Sequence, residues 1–520
     1  MKSGNDKELK SSLFLLAESS FLVFLGVILS KVFTYVYRAV IARNFGPEVY
    51  GLFSISLTVV GWFVVFSTFG ITTGMLKYIS IYSAKGETNK AKYVFKFTSK
   101  LLLTSGIISG ILLFLLSEQI SIKIFHAPEL IIFLKLFSIA IPLNILSNML
   151  FATMLAYKKI GWHSFIFNIL QNAIKVITLI LFIFLGLNIN ALIFSYILGL
   201  FACLLAAYLV SRYIIVEIFG EYQIAKKTKK KISKKLISFS WPFMFTGLVM
   251  LMFQWTDSFV LGVMKDTKSV GLYNAAIPIA FLIIITSELF LKLFFPLIVR
   301  LYANKRTETI KELSKQVGKW IFLINLPLLI LIFLFPGVFI NILFGPEFII
   351  AENALRILSI GVFFSSIFMI SQQLLVMKGK SKLLLIDTAS ILVLNIILNV
   401  LLIPRFGITG AAISTTASLI LLNLIYAVQA NYYLSIVPLR RKVATILLIS
   451  IVPTSILLYL RSIIILNIYS LIILSILFFV LYILLMFITR ALDRNDIVTI
   501  KSFLSKFTGA ENKTSLRDSD

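Results

Sequence analysis

The chain has 520 residues, of which 59% are hydrophobic and 14% charged, and its mean hydropathy is +1.00. Soluble chains carry about 25% charged and about 45–50% apolar residues, so an ordinary soluble enzyme, a disordered protein and a disulfide scaffold are all excluded. The net charge of +27 would point to nucleic acid in a soluble protein. Here the basic residues fall in short gaps between apolar runs, which marks a cytoplasmic membrane face and contact with anionic lipids.

A spanning helix needs about 20 apolar residues. Fourteen segments qualify, at 13–37, 49–74, 101–117, 129–156, 161–186, 190–212, 238–264, 271–298, 320–342, 350–377, 383–403, 408–434, 443–460 and 467–489. The pattern predicts an all-α polytopic membrane protein with about fourteen transmembrane helices. With the N-terminus inside, 37 of the 49 Lys+Arg lie on the inner side and 7 in the outer gaps. Both termini are therefore expected in the cytoplasm. The opening MKSGNDKELK leads into an apolar run without a small-residue cleavage site and reads as a retained first helix. After the sixth segment comes KKTKKKISKK, 226–235, read as an orienting loop that also links two halves. The polar tail after Arg490 is read as frayed.

An internal repeat supports that division. Gly51 in YGLFS aligns with Gly271 in VGLYN at an offset of 220, LFSI at 136–139 with ILSI at 357–360, FHAPEL at 125–130 with FGPEF at 344–348, and Gly186 with Gly407. Six helices per copy give both copies one orientation, the mark of a parallel repeat about an axis along the membrane normal. The expected organisation is a six-helix lobe over 1–225, the basic cytoplasmic linker 226–235, a pseudo-symmetric six-helix lobe over 236–435, two added helices within 436–489 and a cytoplasmic tail, 490–520. Such lobes enclose a cavity that rocking opens to either side.

A charge in mid-bilayer costs at least about 2.5–3.5 kcal/mol and should face protein or water. Segment five carries Asn168, Gln171, Asn172 and Lys175 at the spacing of one helical stripe, and segment one carries Lys31, Thr34, Tyr35 and Arg38, with Arg38 at the outer rim of its span. At offset 220, Thr34, Tyr35 and Arg38 fall on Gln254, Trp255 and Ser258. Lys135 aligns with Arg356 at 221, each about 9 Å inside its span. The expected substrate-binding set is Lys31, Arg38, Lys135, Lys175 and Arg356 with Asn168, Gln171 and Asn172. Snorkelling to the interface competes with this reading for Lys31, Arg38 and Lys135. Asp257 and Glu288 are the candidate ion-coupling acids, although Glu288 has Lys292 at i+4, the spacing of a self-neutralising pair. Glu18 and Asp387 read as interfacial. One cysteine, Cys203, and two distant histidines, His126 and His163, exclude an intrachain disulfide and make a metal site unexpected. Neither a Gly-rich phosphate loop nor an outer segment large enough for a catalytic domain is present, so neither a cofactor nor an enzymatic activity is expected.

RNFGPEVYGLFS (43–54), TDSFVLGVMKDTKSVGLYNAA (256–276), ILFGPEFIIAENALRILSIG (342–361) and LNVLLIPRFGITGAAISTTAS (398–418) resemble signatures of the Wzx-type polysaccharide biosynthesis proteins of the multidrug/oligosaccharidyl-lipid/polysaccharide exporter superfamily. The resemblance covers nearly the whole chain in order. It implies two six-helix lobes, a cation-lined cavity and translocation of polyprenyl-pyrophosphate-linked oligosaccharide across the cytoplasmic membrane by alternating access, with H+, Na+ or the membrane potential as driving force. Glycan-assembly enzymes are the implied partners. Within it, Asp257 and Gly271–Tyr273 match the family pattern. An ion-coupled multidrug exporter of the same superfamily is the nearest alternative and predicts acids in the cavity. A membrane-embedded glycosyltransferase or polymerase predicts larger outer loops. A non-transporting scaffold of a glycan-assembly complex is a further alternative.

Overall fold

The computed structural model describes the backbone of residues 2–437, 442–464 and 467–489, and side chains from residue 28 on, Leu293 excepted. The Glu18 side chain and the tail beyond residue 489 lie outside the described residues. No strand occurs among those described. Hydrocarbon offers no partner to backbone N–H and C=O groups, so an apolar chain satisfies them within each segment as helix. Side-chain hydroxyls do the same: Ser54 donates to the Tyr50 carbonyl at 2.8 Å and Thr58 to the Ser54 carbonyl at 2.9 Å.

Twelve described helices are long and apolar enough to cross a membrane. Two of them contain a glycine break, Lys2–Thr68 at Gly46 and Ser381–Leu434 at Gly407. A straight helix of the second length would reach about 80 Å, against a hydrocarbon core of about 30 Å. The chain instead doubles back. A β-carbon on Gly410 would stand 2.4 Å from the Leu402 carbonyl oxygen, eight residues earlier. Among the described residues the helices of crossing length number fourteen in consequence. They are α1 (2–45), α2 (47–68, continued after a break as Ile71–Ala84), α3 (Thr88–Gln119), α4 (Leu130–Phe137 with Ala140–Ala156), α5 (Ile160–Ser164, a π-helical turn Phe165–Leu170, then Gln171–Phe184), α6 (Ile189–Ile214), α7 (Lys226–Met264), α8 (Thr267–Ala303), α9 (Thr307–Leu334), α10 (Glu352–Met377), α11 (381–406), α12 (408–434), α13 (Lys442–Ile463) and α14 (Ile468–Ile488). A short helix, Pro336–Phe344, precedes α10.

The helices outrun the apolar spans at several ends, because hydropathy registers charge while the backbone continues into the headgroup layer. Helix α1 runs to residue 45, not 37, through Arg38 and Arg43. The basic run 226–235, expected as a linker, forms the first turns of α7. Lys319, counted with a cytoplasmic gap, is fully buried in α9.

The repeat recurs in the backbone. Positive φ angles fall at Gly86 and Lys305, His126 and Gly345, Lys158 and Gly379, and Gly186 and Gly407, each pair 219 to 221 residues apart. These are the turns between corresponding helices, and a side chain tolerates that conformation only at a cost.

With faces named by the basic-residue count, the two sets of six helices meet most closely at the outer side. Gly51 of α2 lies backbone to backbone on Gly271 of α8. Tyr50 packs between Phe344 and Phe348, with ring centroids 5.9 and 6.0 Å away. The Arg43 guanidinium donates to the carbonyls of Asn341 (2.9 Å), Ile342 (2.6 Å) and Leu343 (3.4 Å) at the C-terminus of the short helix, where the helix dipole favours a cation. Helix α7 stays on α2 toward the cytoplasm, from Trp62 and Phe259, whose tilted rings lie 4.6 Å apart, to Gly70 against Ser240. Between α1 and α8 no hydrogen bond among the described residues lies nearer the cytoplasmic end than Tyr35 Oη to the Pro278 carbonyl, 2.5 Å.

Candidate functional site

The longer α1 moves its cations away from the helix end. At 1.5 Å per residue, Arg38 lies about 12 Å and Lys31 about 22 Å from the Gly46 break, so Arg38 sits within α1 and not at its end. Arg38 Nη1 donates to Tyr50 Oη at 3.2 Å, and that hydroxyl donates to the Asn274 carbonyl at 3.4 Å. The Asn274 amide donates to Ser258 Oγ at 2.8 Å. Positions 38 and 258, aligned by the repeat, thus converge on one asparagine across the two halves. Lys31 and Gln254 are exposed at membrane depth. An amide or ammonium facing hydrocarbon would lose its water partners. Among the described residues neither Lys31 nor Arg38 pairs with a carboxylate.

The stripe on α5 parts into two pairs, each four residues apart, Asn168 with Asn172 and Gln171 with Lys175. Asn168 donates to Ser164 Oγ at 3.0 Å and Asn172 to Ser30 Oγ of α1 at 3.1 Å. Gln171 and Lys175 are buried. Lys175 turns toward α6, with its ammonium 4.2 Å from the Tyr196 ring centroid and its stem filling the space left by Gly199.

The remaining cations lie elsewhere. The Lys135 ammonium is 5.7 Å from the ring of Phe114, itself 48% exposed on the outside of the bundle. Arg356 is held at the outer end of α10. It donates to the Phe333 carbonyl at 3.3 Å and Asn353 Oδ1 at 2.8 Å, and pairs with Glu352 at 3.5 Å. Its bonds stabilise the C-terminus of α9, and the structure does not gather these two residues with Arg38. Glu288 is half-buried and couples electrostatically to Tyr35 across the α1–α8 seam. No Glu288–Lys292 ion pair forms among the described residues.

Asp257 is 5% exposed and enclosed by α7, α8, α11 and α12. Oδ1 accepts from Asn399 at 2.7 Å. Oδ2 accepts from Tyr273 Oη at 2.8 Å and from the Thr415 hydroxyl. Asn395 Oδ1 accepts from Asn399 at 3.1 Å, while Asn399 Oδ1 is buried without a partner. Charge-assisted donors of this number stabilise a carboxylate in a dry interior. Tyr273, Asn395, Asn399 and Thr415 were not singled out as site residues; the repeat relates three of these positions to the other half. Subtracting 220 from Asp257, Tyr273 and Thr415 gives Tyr37, Phe53 and Ser195. Tyr37 and Ser195 are hydrogen-bonded at 3.1 Å and Tyr37 meets Phe53 edge to face. The same number takes Asn395 to Lys175. Equivalent places in the two halves therefore hold a carboxylate with amides in one and a phenol with an ammonium nearby in the other.

A model described as polysaccharide biosynthesis protein matches residues 16–302, and one described as MatE matches 242–401. A Shigella flexneri protein named as an O-antigen transporter is 26% identical over 392 residues, covering 73% of this chain and 89% of the relative. The low-salt glycan biosynthesis flippase Agl15 of Haloferax volcanii is 24% identical over 424 residues, 81% and 84% of the two chains. Among solved structures, the lipid II flippase MurJ in an inward closed conformation superposes with TM-score 0.71 at 17% identity, over 90% of this chain and 98% of that one. An inward-facing multidrug resistance MATE transporter gives 0.65 at 14%, over 79% and 98%. These likenesses show the fold of a helical membrane transporter. With its matched region spanning more than half of the sequence, the chain belongs to the polysaccharide biosynthesis protein family.

Proposed function

We propose that the protein is a flippase that carries a polyprenyl-pyrophosphate-linked oligosaccharide across the cytoplasmic membrane by alternating access of two six-helix lobes. The observation that carries this reading is Arg38, a guanidinium about 12 Å along α1 from the Gly46 break with no carboxylate partner among the described residues, on the same helix as the exposed Lys31 and across from the exposed Gln254 of α7. A glycan cannot enter hydrocarbon without losing its water partners. A wet passage lets the sugars cross while the polyprenyl tail stays in lipid. Arg38 and Lys31 hold the pyrophosphate, with Lys175 behind Tyr196 adding field. The tight outer contacts, Gly51 on Gly271 and Arg43 on the short helix, support a form open to the cytoplasm. Relatives named for O-antigen transport and glycan biosynthesis favour this reading over the multidrug exporter. Surface polysaccharide or glycoprotein glycan assembly would consume the product.

Coupling is assigned to Asp257. The carboxylate, Thr415 Oγ1, Asn395 Oδ1 and the unpartnered Asn399 Oδ1 fit a proton or a monovalent hard cation such as Na+, which takes oxygen donors. Glu288, at the α1–α8 seam, is the second acid in this proposal. Replacing Arg38 with Lys and with Ala in a strain whose glycan export depends on this protein tests the reading. Lys retains export and Ala loses at least about tenfold if charge holds the substrate. Equal export from both variants at normal membrane levels contradicts it.

A further inference from the structure

We propose that a groove on the lipid-facing flank of the first six helices binds an anionic phospholipid of the cytoplasmic leaflet. The groove holds about 400 Å³ between α3, α4, α6 and the turn Val216–Phe219. Its walls include Phe95, Met149, Leu150, Phe201, Leu205 and Phe219. It lies on the opposite side of α6 from Gly199 and Lys175, since Leu205 is about 200° around the helix from Cys203, and is thus separate from the proposed substrate site at Arg38. From Phe201 to Arg212 the helix rises about 16 Å, close to the depth of one leaflet, about 15 Å.

The rim toward the cytoplasm is basic. Arg212 continues the Phe201–Leu205–Tyr208 face of α6 by one turn, and its guanidinium lies 5.4 Å from the Phe219 ring centroid. Lys92 continues the Phe95–Ser99 face of α3 in the same direction, and its ammonium reaches the Gly220 backbone. Lys96 and Lys229 approach opposite ends of the same Tyr222 neighbourhood, at 5.5 and 4.8 Å from its ring centroid. None of these four pairs with a carboxylate among the described residues. The two acids on the turn, Glu217 and Glu221, are exposed, and Glu217 acts electrostatically on Tyr157 on another flank. An apolar trough one leaflet deep, ending in unpaired cations, matches an acyl chain below and a phosphate above. A zwitterionic headgroup would bring its own cation to that rim. The bound lipid braces the segment that leads from α6 into α7.

Native mass spectrometry of the full-length protein, with phosphatidylglycerol and phosphatidylcholine as probes, tests the site. The wild type is expected to retain phosphatidylglycerol selectively. The double variant Lys92→Glu/Arg212→Glu is expected to lose at least about fivefold of that retention, and Leu205→Trp, which fills the trough, to lose as much with an unchanged melting temperature. Lys230→Glu/Lys231→Glu, which removes the same charge outside the rim, is expected to behave as wild type. Equal retention of both lipids by the wild type, undiminished retention by Lys92→Glu/Arg212→Glu, or an equal loss in Lys230→Glu/Lys231→Glu would each overturn the proposal.

Discussion

Gly51 and Gly271 pack against each other with nothing but backbone between their helices. A β-carbon on Gly51 would stand 1.7 Å from the Thr267 carbonyl oxygen, and one on Gly271 would stand 1.8 Å from the Pro47 carbonyl oxygen. The two contacts are reciprocal in the 220-residue register, as a pseudo-twofold axis at this point requires. Neither carbonyl can move aside as a flexible side-chain end could. Gly271→Ala must spread α2 from α8, at the cost typical of overpacking, about 1–3 kcal/mol. The expected outcome is a lower melting temperature in detergent and weaker outer-face cross-linking between residues of the two helices. An unchanged melting temperature would show that the close approach is not part of the stable state.

Arg43 should act as a latch on the outer side. Its three carbonyl partners all lie in the other half of the molecule, 298 to 300 residues away. Arg43→Ala removes about 1 kcal/mol of charge-assisted bonding from the outward-closed form, a shift of about fivefold in the balance of forms. With Cys203 replaced by Ser, a cysteine placed by Thr34→Cys should react faster with an impermeant maleimide added outside. No change in that rate would remove Arg43 from the closure.

Lys175 fills volume as well as carrying charge, so Lys175→Ala mixes two effects. Loss of its stem beside Gly199 opens a cavity costing about 2–5 kcal/mol. Lys175→Met keeps most of the volume and removes the charge. Export should fall severalfold in Lys175→Met with little change in melting temperature if the ammonium contributes field to the passage. Normal export by Lys175→Met would make its role packing alone.

Asp257 separates ion coupling from substrate binding. Asp257→Asn preserves size and can still accept from Tyr273 and Thr415, but lacks the charge that attracts a cation. Transport in vesicles should lose its response to an imposed Na+ or pH gradient, while binding of the lipid-linked substrate stays within about twofold. A gradient response retained by Asp257→Asn would exclude it as the coupling acid.

Much of the fold was legible because hydrocarbon imposes long apolar helices and a repeat reuses one solution twice. The fourteen crossings and the Gly51–Gly271 alignment stem from those two constraints. Helix ends were not legible, since Arg38 and Arg43 read as a gap although α1 passes through them. The α5 stripe is wide enough to face two neighbours, with Asn172 on Ser30 of α1 and Lys175 under Tyr196 of α6. Lys135 and Arg356 share depth and register, yet depth says nothing of the direction a side chain takes around its helix. The polar cage of Asp257 draws on four helices, and only the fold reveals that Asn399 and Thr415 meet there.

Transfer of a labelled polyprenyl-pyrophosphate oligosaccharide between the leaflets of liposomes containing only the purified protein tests the central claim most directly. Wild-type protein should move the label to the far leaflet well above protein-free liposomes, and Arg38→Ala should reduce that rate at least about tenfold. Transfer no faster than in protein-free liposomes, from protein shown to be folded and inserted, would contradict the account.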